Sequence, residues 1–161
     1  MLDWNWQPFR CLGIDQLYET MTLRQQVFVI EQACLYLDAD GFDMQAVHGL
    51  GRLRDGGLAA YARILPPGSR YREPSIGRVL VAPALRGEGH GYDLMRRAIE
   101  ETARLYPGHT IRISAQAHLE RFYRGLGFSP AGTLYDDAGI PHIDMVGPGR
   151  HAVERAMPEN A

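Results

Sequence analysis

The residues best suited to chemistry lie in one short stretch that contains three glycines within five residues. An apolar run over 76–82 ends at Pro83, and the loop Arg86-Gly-Glu-Gly-His-Gly91 follows before a helical pattern begins at Tyr92. This order predicts a strand, a glycine loop and the start of a helix. Such a loop exposes backbone N–H groups, and the helix adds its unpaired first-turn donors and the positive end of its dipole. The stretch therefore predicts a site for a phosphate or pyrophosphate group.

Two common phosphate-binding motifs do not fit this loop. A P-loop requires a lysine after its second glycine, and the sequence contains no lysine. A dinucleotide-binding loop requires Gly-x-Gly-x-x-Gly, whereas Tyr92 occupies the position of the third glycine. The pattern Arg86-x-x-Gly89-x-Gly91 resembles instead the acetyl-coenzyme A loop of the GNAT N-acetyltransferases. A glycine-rich turn without a ligand is the alternative explanation.

A second stretch further along the chain strengthens this resemblance. The segment from Gln116 to Phe128 predicts a short helix with Phe-Tyr-x-x-Leu-Gly-Phe, which is similar to the second GNAT motif. The tyrosine of that motif corresponds to Tyr123. Periodicity alone would make Tyr123 a core residue, whereas its pairing with the glycine loop favours a functional role. Gln116 departs from the pattern, because many family members have asparagine there.

Several other segments resemble the ElaA-type subfamily, and the likeness covers about residues 2–147. These segments are Leu23–Gln32, the aspartates Asp38, Asp40 and Asp43, His48, and Ile140–Met145. The resemblance implies an α/β (α+β) GNAT, or acyl-CoA N-acyltransferase, fold. We expect a mixed, mostly antiparallel sheet of six to seven strands with about four flanking helices. The resemblance also implies acetyl-CoA as co-substrate, an amine of a small molecule or a peptide as acceptor, and no metal.

The resemblance assigns positions to the coenzyme and its leaving group. A splayed strand at Val79–Val81 would pair with the pantetheine chain, and the Val81 N–H would donate to the thioester oxygen. Loop N–H groups would hold the pyrophosphate, with Arg86 adding charge near it; a plain surface arginine is the alternative. Tyr123 would bond to the sulfur and act as general acid. The implied cofactor-binding residues are Val79, Leu80, Val81, Arg86, Gly87, Glu88, Gly89, His90, Gly91 and Gln116.

The general base is left open by the sequence. Some GNAT members place a glutamate on the central strand, but residues 75–82 contain no acid. The candidates are Glu31, His48, Asp40 and His142, of which we favour Glu31 and His48. A hydrogen-bonded structural histidine is the alternative for His48, and a solvated helix end is the alternative for Glu31.

An acidic segment between two predicted elements carries Asp38, Asp40 and Asp43 around Gly41. One interpretation is a carboxylate cluster that lines a site for a cationic substrate. The other is a solvated surface loop with turn-forming aspartates. A calcium-binding EF-hand loop is disfavoured, because no glutamate occupies its twelfth position.

The flanking sequence predicts the elements that must position these residues. Besides the central strand, alternating or apolar runs predict strands over 4–10, 46–54, 58–65, 110–115, 129–136 and 140–146. Helical periodicity predicts helices over 13–32, 92–106 and 118–126, with a break in the first at Thr20 or Thr22. Asp55-Gly56-Gly57 between two apolar runs indicates a hairpin.

Composition limits the class of protein. With 161 residues we expect one domain over 1–148 and a polar C-terminal tail over 149–161. A net charge of −2 argues against nucleic acid as a partner, and no apolar run is long enough for a membrane span. Two cysteines and no signal peptide predict reduced thiols in the cytoplasm. The sequence allows a homodimer.

Two functions remain open at this stage. The first is an enzyme, an acetyl-CoA-dependent N-acetyltransferase in which the amine attacks directly within a ternary complex. The alternative is a non-catalytic module that binds or senses acyl-CoA. Retention of Tyr123 favours the enzyme. A protein that binds NAD or ATP is disfavoured by the loop spacing and by the missing lysine.

Overall fold

The computed structural model describes residues 1–148, so the predicted tail over 149–161 lies outside the described residues. The strands are Asp3–Pro8 (β1), Val47–Arg52 (β2), Leu58–Leu65 (β3), Ser75–Val81 (β4), Ile111–Gln116 (β5), Ser129–Pro130 (β6), Tyr135–Asp137 (β7) and Ile140–Gly147 (β8). The α-helices are Ile14–Arg24 (α1), His90–Leu105 (α2) and Glu120–Gly125 (α3). Within the described part of the chain, no helix is long and apolar enough to cross a membrane.

All eight strands belong to one mixed sheet with the order β1-β2-β3-β4-β5-β8-β6, and β7 also pairs with β8. Every pair is antiparallel except β4 with β5. These two strands run parallel because α2 carries the chain back along the sheet between them. The mostly antiparallel sheet agrees with the prediction from the sequence.

The region after α3 differs from the prediction, which placed one strand over 129–136. The structure has two short strands there, β6 and β7, separated by residues 131–134. Pro130 lacks a backbone donor and Gly132 weakens an extended segment. The hydrogen-bonded ladder with β8 is therefore interrupted between β6 and β7. This interruption gives eight strands instead of the expected six to seven.

The first helix also differs from the prediction. Instead of a break at Thr20 or Thr22, α1 continues directly into a π-helical segment, Gln25–Glu31. The wider turn is visible where the Gln32 N–H donates to the Val27 carbonyl oxygen at 3.1 Å. The described residues thus contain three α-helices and this π-helical segment, close to the expectation of about four helices. Glu31 lies at the C-terminal end of the π-helical segment.

The sheet is covered on both faces. On one face, α2 buries Leu94, Met95, Ala98 and Ile99 in a cluster that includes the small residues of β3. On the other face, α1 and the π-helical segment bury a smaller cluster of residues, Leu23, Val27, Phe28, Leu50, Tyr61 and Leu80. Strands β3 and β4 contribute to both clusters. The central strands are thus covered by helices on both faces of the sheet, and only the strand ends and the sheet edges are left uncovered.

The edge of the sheet depends on glycines that face tryptophan rings. Trp6 of β1 lies opposite Gly49 of β2, and a Cβ at Gly49 would overlap the Trp6 indole. The absence of a side chain therefore lets the indole lie flat on the strand. The predicted hairpin between β2 and β3 is present, and Gly56 in its turn has φ of 94°.

The substitution Gly49→Ala is expected to lower the free energy of unfolding by about 1–3 kcal/mol, because the new methyl group must displace the indole. Urea-induced unfolding followed by tryptophan fluorescence would measure it. The matched control is Gly132→Ala, since a Cβ there meets no atom within 4 Å. A control that is destabilised as much as Gly49→Ala would contradict this explanation.

Candidate active site

The site is built where β4 separates from β5. The two strands pair only at Ser75 and Arg112. Further along, β4 contains a bulge: Leu80 lies opposite Tyr61 and Gly77 opposite Arg63, so two residues of β4 occupy the space of one on β3. The strand bends away from β5 beyond this point, which opens a gap in the middle of the sheet.

Arg78 lies in this bulge with φ of 51°, a left-handed conformation that is unfavourable for a side chain other than glycine. Its guanidinium is held by Asp38, with Nε at 2.7 Å from the carboxylate, and by Asp40 at 3.2 Å. The same group lies 5.8 Å from the centre of the Phe28 ring. These contacts fix the strained residue and, with it, the bend of β4.

The glycine loop adopts the conformation that the sequence predicts for an anion site. Gly87 and Gly89 have φ of 84° and 82°, and Gly89 is the N-cap of α2. The N–H groups of Tyr92 and Asp93 both donate to the Gly89 carbonyl oxygen. The N–H groups that precede them at the helix start have no intrahelical acceptor. A negative charge at this end would also interact favourably with the helix dipole.

A cleft of about 420 Å³, called here the glycine-loop cleft, lies between β4, the loop and the end of β5. It brings together most residues that the sequence assigned to a cofactor: Val79, Leu80, Val81, Arg86, Gly87, His90, Gly91 and Gln116. Gly89 does not line it, and the exposed Glu88 carboxylate lies 3.2 Å from the His90 ring instead.

Two side-chain contacts connect the π-helical segment with the opposite side of the glycine-loop cleft. The Glu31 carboxylate accepts hydrogen bonds from both terminal nitrogens of Arg86, at 2.6 and 3.2 Å. Arg86 also donates from Nε to the Val81 carbonyl oxygen at 3.1 Å. Deeper in, Gln116 donates to the side-chain oxygen of Gln32 at 3.2 Å. Gln32 was not identified from the sequence, since its partner is far away in the chain.

Tyr123 of α3 also lines this cleft. Only 7% of the residue is exposed, and its ring packs edge-on against Phe122 and Phe128. Burial raises the pKa of Tyr123 to about 12. The phenol is therefore fully protonated at neutral pH and available as a hydrogen-bond donor.

A second cleft of about 500 Å³, called here the arginine cleft, lies on the other side of Tyr123. Its wall includes Arg63, Arg70, Arg78, Tyr71, Ser114 and His142. The two clefts meet at residues that line both, namely Gln32, Val79, Gln116, Leu119 and Tyr123. Arg70 and Tyr71 lie in the connection between β3 and β4 and were not predicted from the sequence to belong to a site.

The acidic segment forms neither a cluster of free carboxylates nor a solvated loop. Its three aspartates alternate with three arginines in a closed chain of ion pairs, the arginine–aspartate ring. Each of the six contacts measures 2.6–3.2 Å, and the order is Arg24, Asp38, Arg78, Asp40, Arg63, Asp43 and back to Arg24. Asp38 is buried and every carboxylate already has a guanidinium partner, although the Phe42 N–H also donates to Asp40 at 3.2 Å, as expected of a turn-forming aspartate.

The ring keeps its carboxylates ionised. Burial acts to raise the pKa of Asp40, but the hydrogen bond and charge of Arg63 outweigh it and hold that pKa well below its usual range. Burial opposes ionisation of Asp43 in the same way, and Arg24 and Arg63 together lower its pKa. At neutral pH the ring is therefore three cations and three anions without net charge.

His48 lies in the protein interior and lines neither cleft. Its Nδ1 is 2.7 Å from the Tyr61 hydroxyl and its Nε2 is 2.9 Å from the Asp43 carbonyl oxygen, so both ring nitrogens are engaged. Burial is the largest influence and lowers the pKa of His48. This placement argues against His48 as a base that meets a substrate.

His142 is the histidine that does line the arginine cleft. Its Nδ1 lies 2.8 Å from the Ile140 carbonyl oxygen, which can only accept, so Nδ1 carries the hydrogen and a neutral ring keeps its lone pair on Nε2. In the sheet, His142 is directly opposite Gln116, a residue that borders both clefts. The ring also stacks on Tyr135 at a centroid distance of 5.9 Å.

Comparison with known proteins gives the class to which this architecture corresponds. Residues 41–147 match the Acetyltransferase (GNAT) domain. The chain belongs to the GNAT acetyltransferase family, whose members are acyltransferases. An acyl-CoA N-acyltransferase from Pseudomonas aeruginosa has a structure similar to this one, with a TM-score of 0.87 and 39% identity over 92% of this chain and 100% of that chain. The predicted GNAT fold is therefore confirmed.

Within the family the chain is ElaA-like, as its motifs indicated. Protein ElaA from Escherichia coli (strain K12) is 42% identical over 147 residues, which cover 90% of this chain and 95% of ElaA. The crystal structure of that ElaA has a TM-score of 0.86 and covers 92% of this chain and 100% of ElaA. A UPF0039 protein from Synechocystis is 49% identical over 145 residues, or 90% of this chain and 94% of that protein.

Because Arg63 holds both Asp40 and Asp43, the substitution Arg63→Met is expected to lower the free energy of unfolding by about 3–5 kcal/mol, since each acid loses one of its two guanidinium partners and the ring keeps three anions against two cations. The control is Arg96→Met, which removes two half-exposed surface ion pairs, with Asp93 and Glu100, and is expected to cost about 0.2–1 kcal/mol for each. Urea unfolding curves would measure both. Equal losses in the two variants would show that the ring does not anchor the loop.

Proposed function

We propose that this protein is an N-acetyltransferase that transfers an acetyl group from acetyl-CoA to a primary amine of a small molecule or peptide. The observation that carries the proposal is the meeting of two clefts at Tyr123. One cleft would hold the coenzyme and the other the amine, so that the amine attacks the thioester directly in a ternary complex. The acyl-CoA N-acyltransferase of Pseudomonas aeruginosa, similar over nearly the whole chain, supports acyl-CoA as the donor.

The glycine-loop cleft offers complementary groups along the length of a coenzyme A molecule. The pyrophosphate would bind the backbone N–H groups of residues 87–91 at the start of α2. The pantetheine chain would lie against Val79–Val81 as an additional strand. Arg86 would stabilise the phosphates after exchanging its present partner, the Glu31 carboxylate, for a phosphate oxygen.

The Val81 N–H is the proposed donor to the thioester oxygen. The next N–H, that of Ala82, donates to the Ala59 carbonyl oxygen of the β3 strand at 2.8 Å. Because successive N–H groups point to opposite edges of a strand, the Val81 N–H is directed away from β3. A fixed donor in this position would stabilise the negative charge that develops on the oxygen during attack.

The Tyr123 hydroxyl is proposed to interact with the departing sulfur. When the C–S bond breaks, the sulfur leaves as a thiolate, whose ordinary pKa is about 8.5. A phenol with a pKa of about 12 is a weaker acid than an ordinary tyrosine. It therefore stabilises the developing thiolate as a hydrogen-bond donor, and the phenol keeps its proton while the sulfur leaves, because the thiolate is the weaker base of the two.

For the base, the geometry favours His142 over the residues preferred from the sequence. Glu31 lines the glycine-loop cleft, where Arg86 engages its carboxylate, and it does not line the arginine cleft. His142 lines the arginine cleft, and the hydrogen bond of its Nδ1 to the Ile140 carbonyl oxygen leaves the lone pair of a neutral ring on Nε2. We therefore assign to His142 the removal of the amine proton as the new C–N bond forms.

A cytoplasmic location, expected from the sequence, and a homodimer, which the sequence allows, are also proposals. Cys11 and Cys34 are both free thiols, which agrees with a reducing cytoplasm. A homodimer stays a prediction. The competing function, a module that binds acyl-CoA without turnover, would be supported by tight coenzyme A binding with no amine-stimulated release of thiol. An absence of coenzyme A binding would contradict both functions.

The substitution Tyr123→Phe is expected to lower kcat by about 10²–10⁴-fold while the Kd for coenzyme A stays within about twofold, because only the hydroxyl is lost. Thiol release from acetyl-CoA and isothermal titration would measure the two quantities. Tyr106→Phe is the control, since Tyr106 lies outside both clefts. Wild-type turnover in Tyr123→Phe would remove its role as donor to the thiolate.

The substitution His142→Gln is expected to lower kcat by a similar factor, about 10²–10⁴-fold, because glutamine cannot accept the amine proton. Coenzyme A affinity should be unchanged. The exposed His109, which lines neither cleft, provides the control variant His109→Gln. A normal rate in His142→Gln, together with a loss in Glu31→Gln, would transfer the role to Glu31.

A further inference from the structure

The charges on the wall of the arginine cleft can be divided into compensated and uncompensated groups. Five charged residues line it: Arg63, Arg70, Arg78, Asp40 and Asp137. Arg63, Arg78 and Asp40 belong to the arginine–aspartate ring and are neutralised within it. The ring therefore provides no free negative charge for a cationic acceptor, although its aspartates suggested one from the sequence.

Two of the five charged residues that line the cleft have no ion pair with another of residues 1–148. The exposed Arg70 has its guanidinium 5.2 Å from the centre of the Tyr71 ring and close to no carboxylate of the described chain. Asp137, at the end of β7, likewise contacts no arginine in that range. A third group, the Nε–H of Arg63, is buried and has no hydrogen-bond acceptor among the described residues. A buried donor without a partner is unfavourable, and a ligand oxygen or an ordered water would satisfy it.

The positively charged groups and the acid lie on different elements of the cleft wall. The two cationic groups, the Nε–H of Arg63 and the exposed guanidinium of Arg70, belong to β3 and to the connection from β3 to β4. Asp137 and His142 belong to the hairpin formed by β7 and β8, and His142 is opposite Gln116, next to the junction of the clefts. An amine drawn toward Asp137 would thus meet the proposed base, while an anionic group of the same molecule would meet Arg70 and Arg63.

From this distribution we infer that the acceptor is a small amine that also carries a carboxylate, in the manner of a free amino acid. The inference rests on the proposed function and specifies its substrate class. The volume of about 500 Å³ falls within the usual range of small-molecule sites, about 300–1,000 Å³. Arg70 is the specificity-determining residue, because a guanidinium and a carboxylate can form two parallel hydrogen bonds.

The test compares amines that differ only in the carboxylate. The pairs are tyrosine with tyramine, phenylalanine with phenethylamine, histidine with histamine, and ornithine with putrescine. For at least one pair, kcat/KM for the amino acid is expected to exceed that for its decarboxylated partner by roughly 10- to 100-fold, the effect of one charge-assisted hydrogen bond. Comparable rates within every pair, or faster reaction of the diamine, would overturn the inference.

The variant Arg70→Gln provides the second arm. It is expected to lower kcat/KM for the carboxylate-bearing acceptor by roughly 10- to 100-fold and to leave the decarboxylated partner unchanged. Arg54→Gln is the matched control, because Arg54 is exposed and lines neither cleft. The melting temperature should not change in either variant. A loss of equal size for both members of a pair would contradict the role of Arg70.

Binding measurements distinguish a failure of this inference from a failure of the proposed function. Titration of each pair into the protein saturated with desulfo-coenzyme A requires no turnover. Preferential binding of the amino acid, abolished in Arg70→Gln, would support the inference even if the acetyl transfer were absent. Turnover of amines without any preference for the carboxylate would support the proposed function and overturn the inference.

Discussion

The arginine–aspartate ring is the interaction on which the rest of the site depends. It joins α1 through Arg24, the central strands through Arg63 and Arg78, and the segment 38–43 through its aspartates. Ions removed from water are tolerated only when each is matched closely by opposite charge. The six groups satisfy this condition only in one arrangement of helix, loop and strands. The ring therefore positions the wall of the arginine cleft and also holds Arg78 in the strained conformation that bends β4.

The bend of β4 then generates both functional surfaces. If β4 remained paired with β5 along its whole length, its backbone edge would be occupied. No gap would then open where the two clefts meet. Because the pairing of β4 with β5 stops after Ser75, the backbone edge of β4 near Val81 is free on the side that faces β5. The bulge changes the direction of β4, so that the strand leads toward the glycine loop. The strain at Arg78 is thus stored at the functional site and is balanced by the ion pairs around it.

The same ring changes the electrostatic interpretation of the molecule. Three aspartates in six residues suggest a binding site for a cation when only the sequence is considered. In the folded protein these aspartates are paired with internal arginines, and the charged residues of the arginine cleft without an ion pair among residues 1–148 are Arg70 and Asp137, both outside the ring. In the glycine-loop cleft, Glu31 similarly occupies the guanidinium of Arg86. Paired charges hold the structure together, and a paired group such as Arg86 can reach a ligand only by exchanging its present partner.

The sequence by itself determined the features that depend on neighbouring residues. These are the glycine loop, the helix that carries Tyr123, the hairpin at Gly56 and, through their combination, the confirmed GNAT fold. Turns, helix starts and periodicity arise from interactions over a few positions, so they are visible in the chain. Only the tertiary structure decided that His48 is an interior residue and His142 a cleft residue, although both are histidines in strands. It also decided which arginine neutralises which aspartate, because those contacts join residues between 14 and 40 positions apart.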